Sequence, residues 1–113
     1  MIEISEVSWR TRLLQREYTL RVTADGKEHS VTLPLGIPGR GDVVNALIRI
    51  RYPQDKMEAV TNNYMELLTR CVEEGTKIPE GDIRAAEYAS MQRWREESKV
   101  AADKFIGEYG QTT

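Results

Sequence analysis

The sequence has few of the residues that most often carry out chemistry. Its 113 residues include one cysteine, one histidine and one phenylalanine, and aromatic residues make up only 7%. A single cysteine excludes an internal disulfide, so the chain suits a reducing compartment. A metal site or a histidine-based acid–base pair would have to use His29 alone. We therefore expect no catalytic residue, no metal site and no cofactor, and we predict that the protein is not an enzyme.

Long apolar runs are also absent. No stretch approaches the ~20 residues that span a membrane, and the first six residues lack the basic and apolar regions of a secretory signal. We therefore expect a cytoplasmic protein with no membrane partner. The net charge is −2, and it is divided unevenly: residues 1–53 carry +2 and residues 54–113 carry −4. This mild asymmetry permits self-complementary or head-to-tail association and does not demand nucleic acid.

The most regular pattern of the chain indicates a β-hairpin. Apolar and polar residues alternate from Tyr18 to Ala24, and the alternation resumes from His29. Between these arms, Asp25-Gly26 suits a type I′ turn, whose two central residues need positive φ. A two-residue turn would place Leu20 opposite Val31, and a four-residue turn would shift this register. Both registers keep the apolar residues on one face of the sheet.

The chain before the hairpin predicts one more strand, in which the alternation changes phase. Ile2 and Ile4 share one parity, whereas Val7 and Trp9 share the other. A β-bulge near residues 5–6 would place all four side chains on one face. The resulting prediction is a three-stranded antiparallel meander. The sequence leaves open whether this first strand pairs with the hairpin or with another chain.

Apolar residues at helical spacing predict three helices in the rest of the chain, over residues 42–52, 55–74 and 82–106. Asp42 and Asp82 suit the N-caps of the first and third helices, and Gly75 suits the position just after the second. The predicted architecture is one α+β domain over residues 1–113. Its β-meander occupies residues 1–35, and three helices follow, the last of them long.

The third helix has more aromatic surface than a cover for the sheet obviously needs. Its inner face is predicted to include Met91, Trp94, Ala101 and Phe105, with Ser98 in the gap of this heptad-like spacing. Aromatic residues are enriched at protein interfaces. We therefore predict self-association through this helix, with the candidate interface residues Tyr88, Met91, Trp94, Phe105 and Tyr109.

The arginine-rich strands suggest an alternative function. Positive side chains next to Trp9 and Tyr18 could form a sheet face that binds single-stranded nucleic acid. The candidate contacts are Arg10, Arg12, Arg16 and Arg21. A solvated outer face is the competing interpretation, because Glu17 interrupts the patch.

A likeness to a known group of proteins covers residues 45–104. It rests on Leu47-Ile48-Arg49-Ile50-Arg51-Tyr52-Pro53, Glu58-Ala59-Val60, Asn63-Tyr64, Glu87-Tyr88, Met91, Trp94-Arg95 and Lys99. This order resembles small proteins encoded in phages and prophages of gut bacteria. The resemblance implies a virion, tail or assembly setting and brings no catalytic residues. We therefore predict a non-enzymatic interaction or assembly module whose partner is a second copy or another protein, either cytoplasmic or incorporated in a virion.

Overall fold

The computed structural model describes residues 1–109. Its elements in chain order are β1 (Ile2–Arg12), β2 (Gln15–Ala24), β3 (Lys27–Thr32), α1 (Arg40–Arg51), α2 (Gln54–Glu74) and α3 (Ile83–Tyr109). The strands form one antiparallel sheet in the order β1-β2-β3. The predicted α+β class, a meander followed by three helices of which the last is long, is confirmed. The last four residues of the predicted domain lie outside the described residues.

The described chain divides into two compact units. The first comprises Met1–Arg51 and the chain from Arg95 onward, and so contains the sheet, α1 and the C-terminal part of α3. The second is Tyr52–Trp94, which contains α2 and the N-terminal part of α3. The single domain expected from the sequence stays a prediction, and each unit is described by itself.

The β2–β3 hairpin has the two-residue turn. Asp25 and Gly26 have φ values of 52° and 74°, as a type I′ turn requires. Leu20 lies opposite Val31, which is the register of the shorter turn. Leu20 is fully buried, so this register places the apolar face of β2 in the core.

The predicted bulge in β1 is confirmed. Ile4 lies opposite Val22 and Val7 lies opposite Leu20, with a register shift just after Ile4, where Ser5 is the extra residue. One extra residue reverses the parity of a strand. The bulge therefore brings both apolar pairs of β1 to the buried face of β2, and β1 pairs with the hairpin of its own chain.

The core of the first unit lies between the apolar face of the sheet and two helical segments. The Tyr18 ring of β2 meets the Phe105 ring of α3 edge-on, with their centroids 6.3 Å apart. The helical residues buried in this unit are Val43, Val44, Leu47, Ile48, Ser98, Ala101, Ala102 and Phe105. The buried positions of α3 include those predicted for its inner face.

Two of the three predicted helix caps are confirmed. Gly75 ends α2 in the left-handed conformation, at φ 65°, and its N–H donates back to the last turn. The Asp82 carboxylate accepts hydrogen bonds from the backbone N–H groups of Arg84, at 2.9 Å, and Ala85, at 3.3 Å. These contacts satisfy donors that the first turn of α3 leaves without intrahelical partners.

The third cap prediction is wrong. The first helix begins at Arg40, so Asp42 lies inside its first turn. The Gly39 carbonyl accepts the N–H of Val43 at 3.2 Å, which places Gly39 at the N-cap. The Asp42 carboxylate still lies near the positive end of the helix dipole, where an acidic side chain is favourable. It does not act as a cap.

Deleting the bulge residue tests how the parity of β1 is set. Removing Ser5 should leave Ile4 opposite Val22 in a regular ladder and change the free energy of unfolding little. Removing Ser8, the control deletion, should move Val7 off the buried face. We expect a loss of about 1 kcal/mol in urea denaturation followed by circular dichroism, because Val7 is half-buried and full burial of an aliphatic side chain is worth about 1.5–3 kcal/mol. Equal losses for the two deletions would contradict this account.

Candidate functional site

The turn between β1 and β2 is formed by two exposed leucines. Leu13 and Leu14 have φ values of 51° and 63°. Their exposed fractions are 77% and 98%. In the sequence they appeared only as a break of phase, because leucine is not a residue that type I′ turns favour. The signal that could have located the turn is the mirrored alternation of the two strands on either side.

The backbone of this turn is strained. A left-handed conformation is unfavourable by roughly 1–2 kcal/mol for a residue with a Cβ, and only Gly, Asn and Asp adopt it readily. The β2–β3 hairpin meets the same requirement with Asp25-Gly26. The contrast shows that the first hairpin keeps two large apolar side chains in water at a position where polar turn residues would be more stable. We call Leu13 and Leu14 the hairpin tip.

An aromatic row runs from the neighbourhood of the hairpin tip into the core. Trp9 is 53% exposed, and its ring lies 6.1 Å from the ring of Tyr18. Tyr18 in turn contacts the rings of Phe105 and Tyr109, each with a centroid separation of 6.3 Å. The guanidinium of Arg16 lies over the Trp9 ring, at 4.9 Å from its centroid, in a cation–π contact. This side of the hairpin is therefore apolar and aromatic, and the Arg16 guanidinium packs on its exposed ring.

The opposite side of the hairpin contains a compact ionic cluster. Glu17 is only 7% exposed. Its carboxylate accepts hydrogen bonds from the Arg10 Nε at 2.8 Å and from the Arg12 Nη1 at 3.2 Å. The hydrogen bond from Arg10 lowers the pKa of Glu17 most, Arg12 adds to this, and burial opposes it. The cluster keeps a shielded carboxylate ionised beside two arginines.

The structure separates the four arginines proposed as nucleic-acid contacts. Arg16 lies on the apolar side of the sheet, whereas Arg10, Arg12 and Arg21 lie on the outer face, where Arg21 pairs with a glutamate at 3.0 Å. The ladder register places seven charged residues on that face: Glu3, Glu6, Arg10, Arg12, Glu17, Arg21 and Glu28. Three are positive and four are negative, so the net charge of the face is −1.

A groove of about 400 Å³ lies beside β1, between this edge strand and the C-terminal part of α3. Its apolar lining is Ile2, Ile4, Val7, Ala101, Phe105 and Tyr109. Three charged residues border it as well, namely Glu3, Lys104 and Glu108. Met1 also borders this space, and its amino group faces Glu97 at 3.7 Å. We call this space the β1–α3 groove.

The helical wall of the groove is tied to α1 by one ion pair. Arg40 donates from its Nε to the Asp103 carboxylate at 2.5 Å. This hydrogen bond lowers the pKa of Asp103 and raises that of Arg40. Both side chains are about half exposed, and surface pairs of this kind contribute little to stability. The ion pair therefore contributes more to the orientation of α3 against α1 than to the free energy of folding.

The residues predicted as an α3 interface fall into two groups. Met91, Trp94 and Phe105 are at most 3% exposed, so a partner does not reach them in this conformation. Tyr88 stacks on a tyrosine of α2 with ring centroids 4.2 Å apart, and Tyr109 is 36% exposed. Only the two tyrosines therefore offer contact area to another molecule.

The two residues that the sequence offers for catalysis or metal binding, His29 and Cys71, both lie at packed positions. His29 is half-buried opposite Val22, and Cys71 is buried. Among residues 1–109, no group of three His, Cys, Asp or Glu side chains is placed to hold a metal ion. Within the same range, no helix combines the length and the apolar content that crossing a membrane requires.

Comparisons with protein families, with curated proteins and with solved structures found no match for this chain.

Replacing the tip leucines by a favourable turn should stabilise the fold. Leu13→Asn/Leu14→Gly should raise the free energy of unfolding by about 1 kcal/mol, because relief of backbone strain outweighs the added entropy of an unfolded glycine. Urea denaturation measures the change. The control is Leu13→Ala/Leu14→Ala, which removes the apolar side chains and keeps the strain, so it should give no comparable gain. A double alanine variant as stable as the Asn-Gly variant would contradict the strain argument.

The ionic cluster predicts a loss of stability in acid. Glu17 has a folded-state pKa below its ordinary value of 4.5, so it stabilises the fold above that pH and stops doing so as the pH falls through the lowered pKa. Glu17→Gln should destabilise the protein at neutral pH, and its stability should vary less with pH below about 4.5 than that of the wild type. Urea midpoints across this range test it. Glu96→Gln, at an exposed position of α3, is the control.

Proposed function

We propose that the protein is a non-enzymatic interaction module that assembles with copies of itself. The observation that supports this best is the hairpin tip, where two exposed leucines occupy a backbone conformation that disfavours them. Strained backbone is typically retained where it contributes to function. Exposed apolar side chains at such a place are the usual mark of a contact with another molecule.

The edge of the sheet gives independent support. In the described chain, β1 pairs with β2 on one side only, and its eleven residues make a long edge. Edge strands offer unpaired backbone groups that readily bind a further segment. The β1–α3 groove runs along this edge and adds apolar area to it. A protein with both features has the means to hold a partner.

The setting of this assembly is part of the proposal. The resemblance of residues 45–104 to small phage and prophage proteins supports a virion, tail or assembly role, in the cytoplasm or in a particle. Self-association through α3 would now involve Tyr88 and Tyr109, since the other candidates are buried.

Nucleic-acid binding stays the alternative prediction, and a steep fall of affinity with rising salt concentration would indicate it. The net charge of the outer sheet face does not favour it.

Self-association should depend on the hairpin tip. Wild-type protein should gain mass with concentration in sedimentation velocity, and Leu13→Ala/Leu14→Ala should weaken this at least about tenfold, because apolar contact area is lost. The control removes two other largely exposed apolar side chains, in the second unit, by Val72→Ala/Ile83→Ala. It should associate like the wild type. A wild type that stays monomeric at every concentration would contradict the proposed function.

A further inference from the structure

The first unit contains both an apolar projection and an apolar recess. The projection is the hairpin tip, whose leucines are more than three-quarters exposed. The recess is the β1–α3 groove, about 400 Å³ in volume and lined by aliphatic and aromatic side chains. Its volume lies within the range of pockets that enclose a ligand. Two leucine side chains are of a kind and size that such a space can enclose.

One chain cannot fill its own groove with its own tip. Val7 is the last groove residue of β1, and Leu13 follows it six positions later along the same extended strand. At about 3.3 Å per residue, this separates them by about 20 Å. The strand is held straight by its ladder with β2 as far as Arg12. A tip that occupies the groove must therefore come from another molecule.

The charges around the two features are complementary. The hairpin end bears three arginines, Arg10, Arg12 and Arg16, against the single carboxylate of Glu17, which gives +2. Lys104 and Glu108 of the helical wall cancel, and Glu3, whose side chain lies on the outer face of the same edge strand, adds one negative charge beside the groove. The amino group of Met1, which also borders the groove, is balanced by Glu97, so the local net charge is −1. Opposite local charges steer two surfaces together and fix their orientation. The same charges oppose contact between two tips.

We propose that the hairpin tip of one copy docks in the β1–α3 groove of a second copy. This inference rests on the proposed self-association and names the two surfaces that meet. Leu13 and Leu14 enter the apolar part of the groove, and the arginines at the base of the tip face Glu3 and Glu108 at its margin. The docked pair then presents an unused groove on one copy and an unused tip on the other.

Such a contact is heterologous, since two different surfaces of the same chain meet. Heterologous contacts close into rings when the rotation allows it and otherwise grow into open chains. The oligomer should therefore grow beyond a dimer as the concentration rises. A two-fold dimer, in which one patch meets its own copy, would stop at two subunits.

Two loss-of-contact variants separate the surfaces. The tip variant is Leu13→Ala/Leu14→Ala, which leaves the groove intact. The groove variant is Glu3→Lys/Glu108→Lys, which leaves the tip intact and places positive charge where the arginines should dock. Both glutamates are exposed, so the fold should tolerate their replacement. The matched control is Glu73→Lys/Glu74→Lys, the same change of charge at exposed positions of α2, which should associate like the wild type.

The decisive measurement is to mix the tip variant and the groove variant in equal amounts. Each alone should be monomeric by native mass spectrometry and sedimentation velocity. The mixture should form a dimer with one copy of each variant and nothing larger, because only one functional tip and one functional groove remain to meet. Circular dichroism and urea midpoints close to those of the wild type show that both variants are folded.

Other outcomes overturn the inference in distinguishable ways. Wild-type association that survives in the folded groove variant, or that the mixture fails to restore, would exclude tip-in-groove docking and leave self-association standing. A wild type that never associates would overturn both proposals. A monomeric wild type that binds vesicles containing phosphatidylserine, but not neutral vesicles, and loses this in the tip variant, would instead make the tip a membrane contact.

Discussion

The buried face of β2 determines the arrangement of the whole first unit. Side chains alternate along a strand, so the burial of Leu20 and Val22 decides on which side every other residue of the meander lies. The Asp25-Gly26 turn transmits this parity to β3. The bulge at Ser5 transmits it to the start of β1, whose own alternation is out of phase. If this sequence paired with β2 in a regular ladder, without the bulge, one of the two apolar pairs of β1 would face water.

The same constraint explains the contrast between the two hairpins. Both turns have two residues with positive φ, because this geometry matches the twist of the strands they join. At one turn the residues suit the geometry, and at the other two leucines occupy it with strain. Proteins commonly sacrifice stability at the places where they bind. In our proposal, the two leucines lower the stability of the monomer and stabilise the contact between copies.

The charged side chains of the hairpin also lie on opposite faces of the sheet, because side chains alternate along each strand. Arg16 lies on the apolar side over Trp9, while Arg10 and Arg12 lie on the other side and shield the carboxylate of Glu17. Arginines close together in sequence are therefore not one patch. The cationic character of the hairpin is concentrated around its end, which is why it is relevant to docking at the tip and gives no positive surface to the outer sheet face.

The sequence by itself determined the features that depend on neighbours along the chain. Alternation predicted the meander, Asp25-Gly26 its second turn, the change of phase its bulge, and helical spacing the buried positions of α3 from Met91 to Phe105. Local chemistry suffices for these, because strand parity, turn conformation and helix periodicity are short-range. Only the tertiary structure decided what lies beside what. The first turn escaped prediction because its residues contradict its geometry, and the groove is formed by β1 and α3, which are distant in sequence and meet only when both pack on the same core.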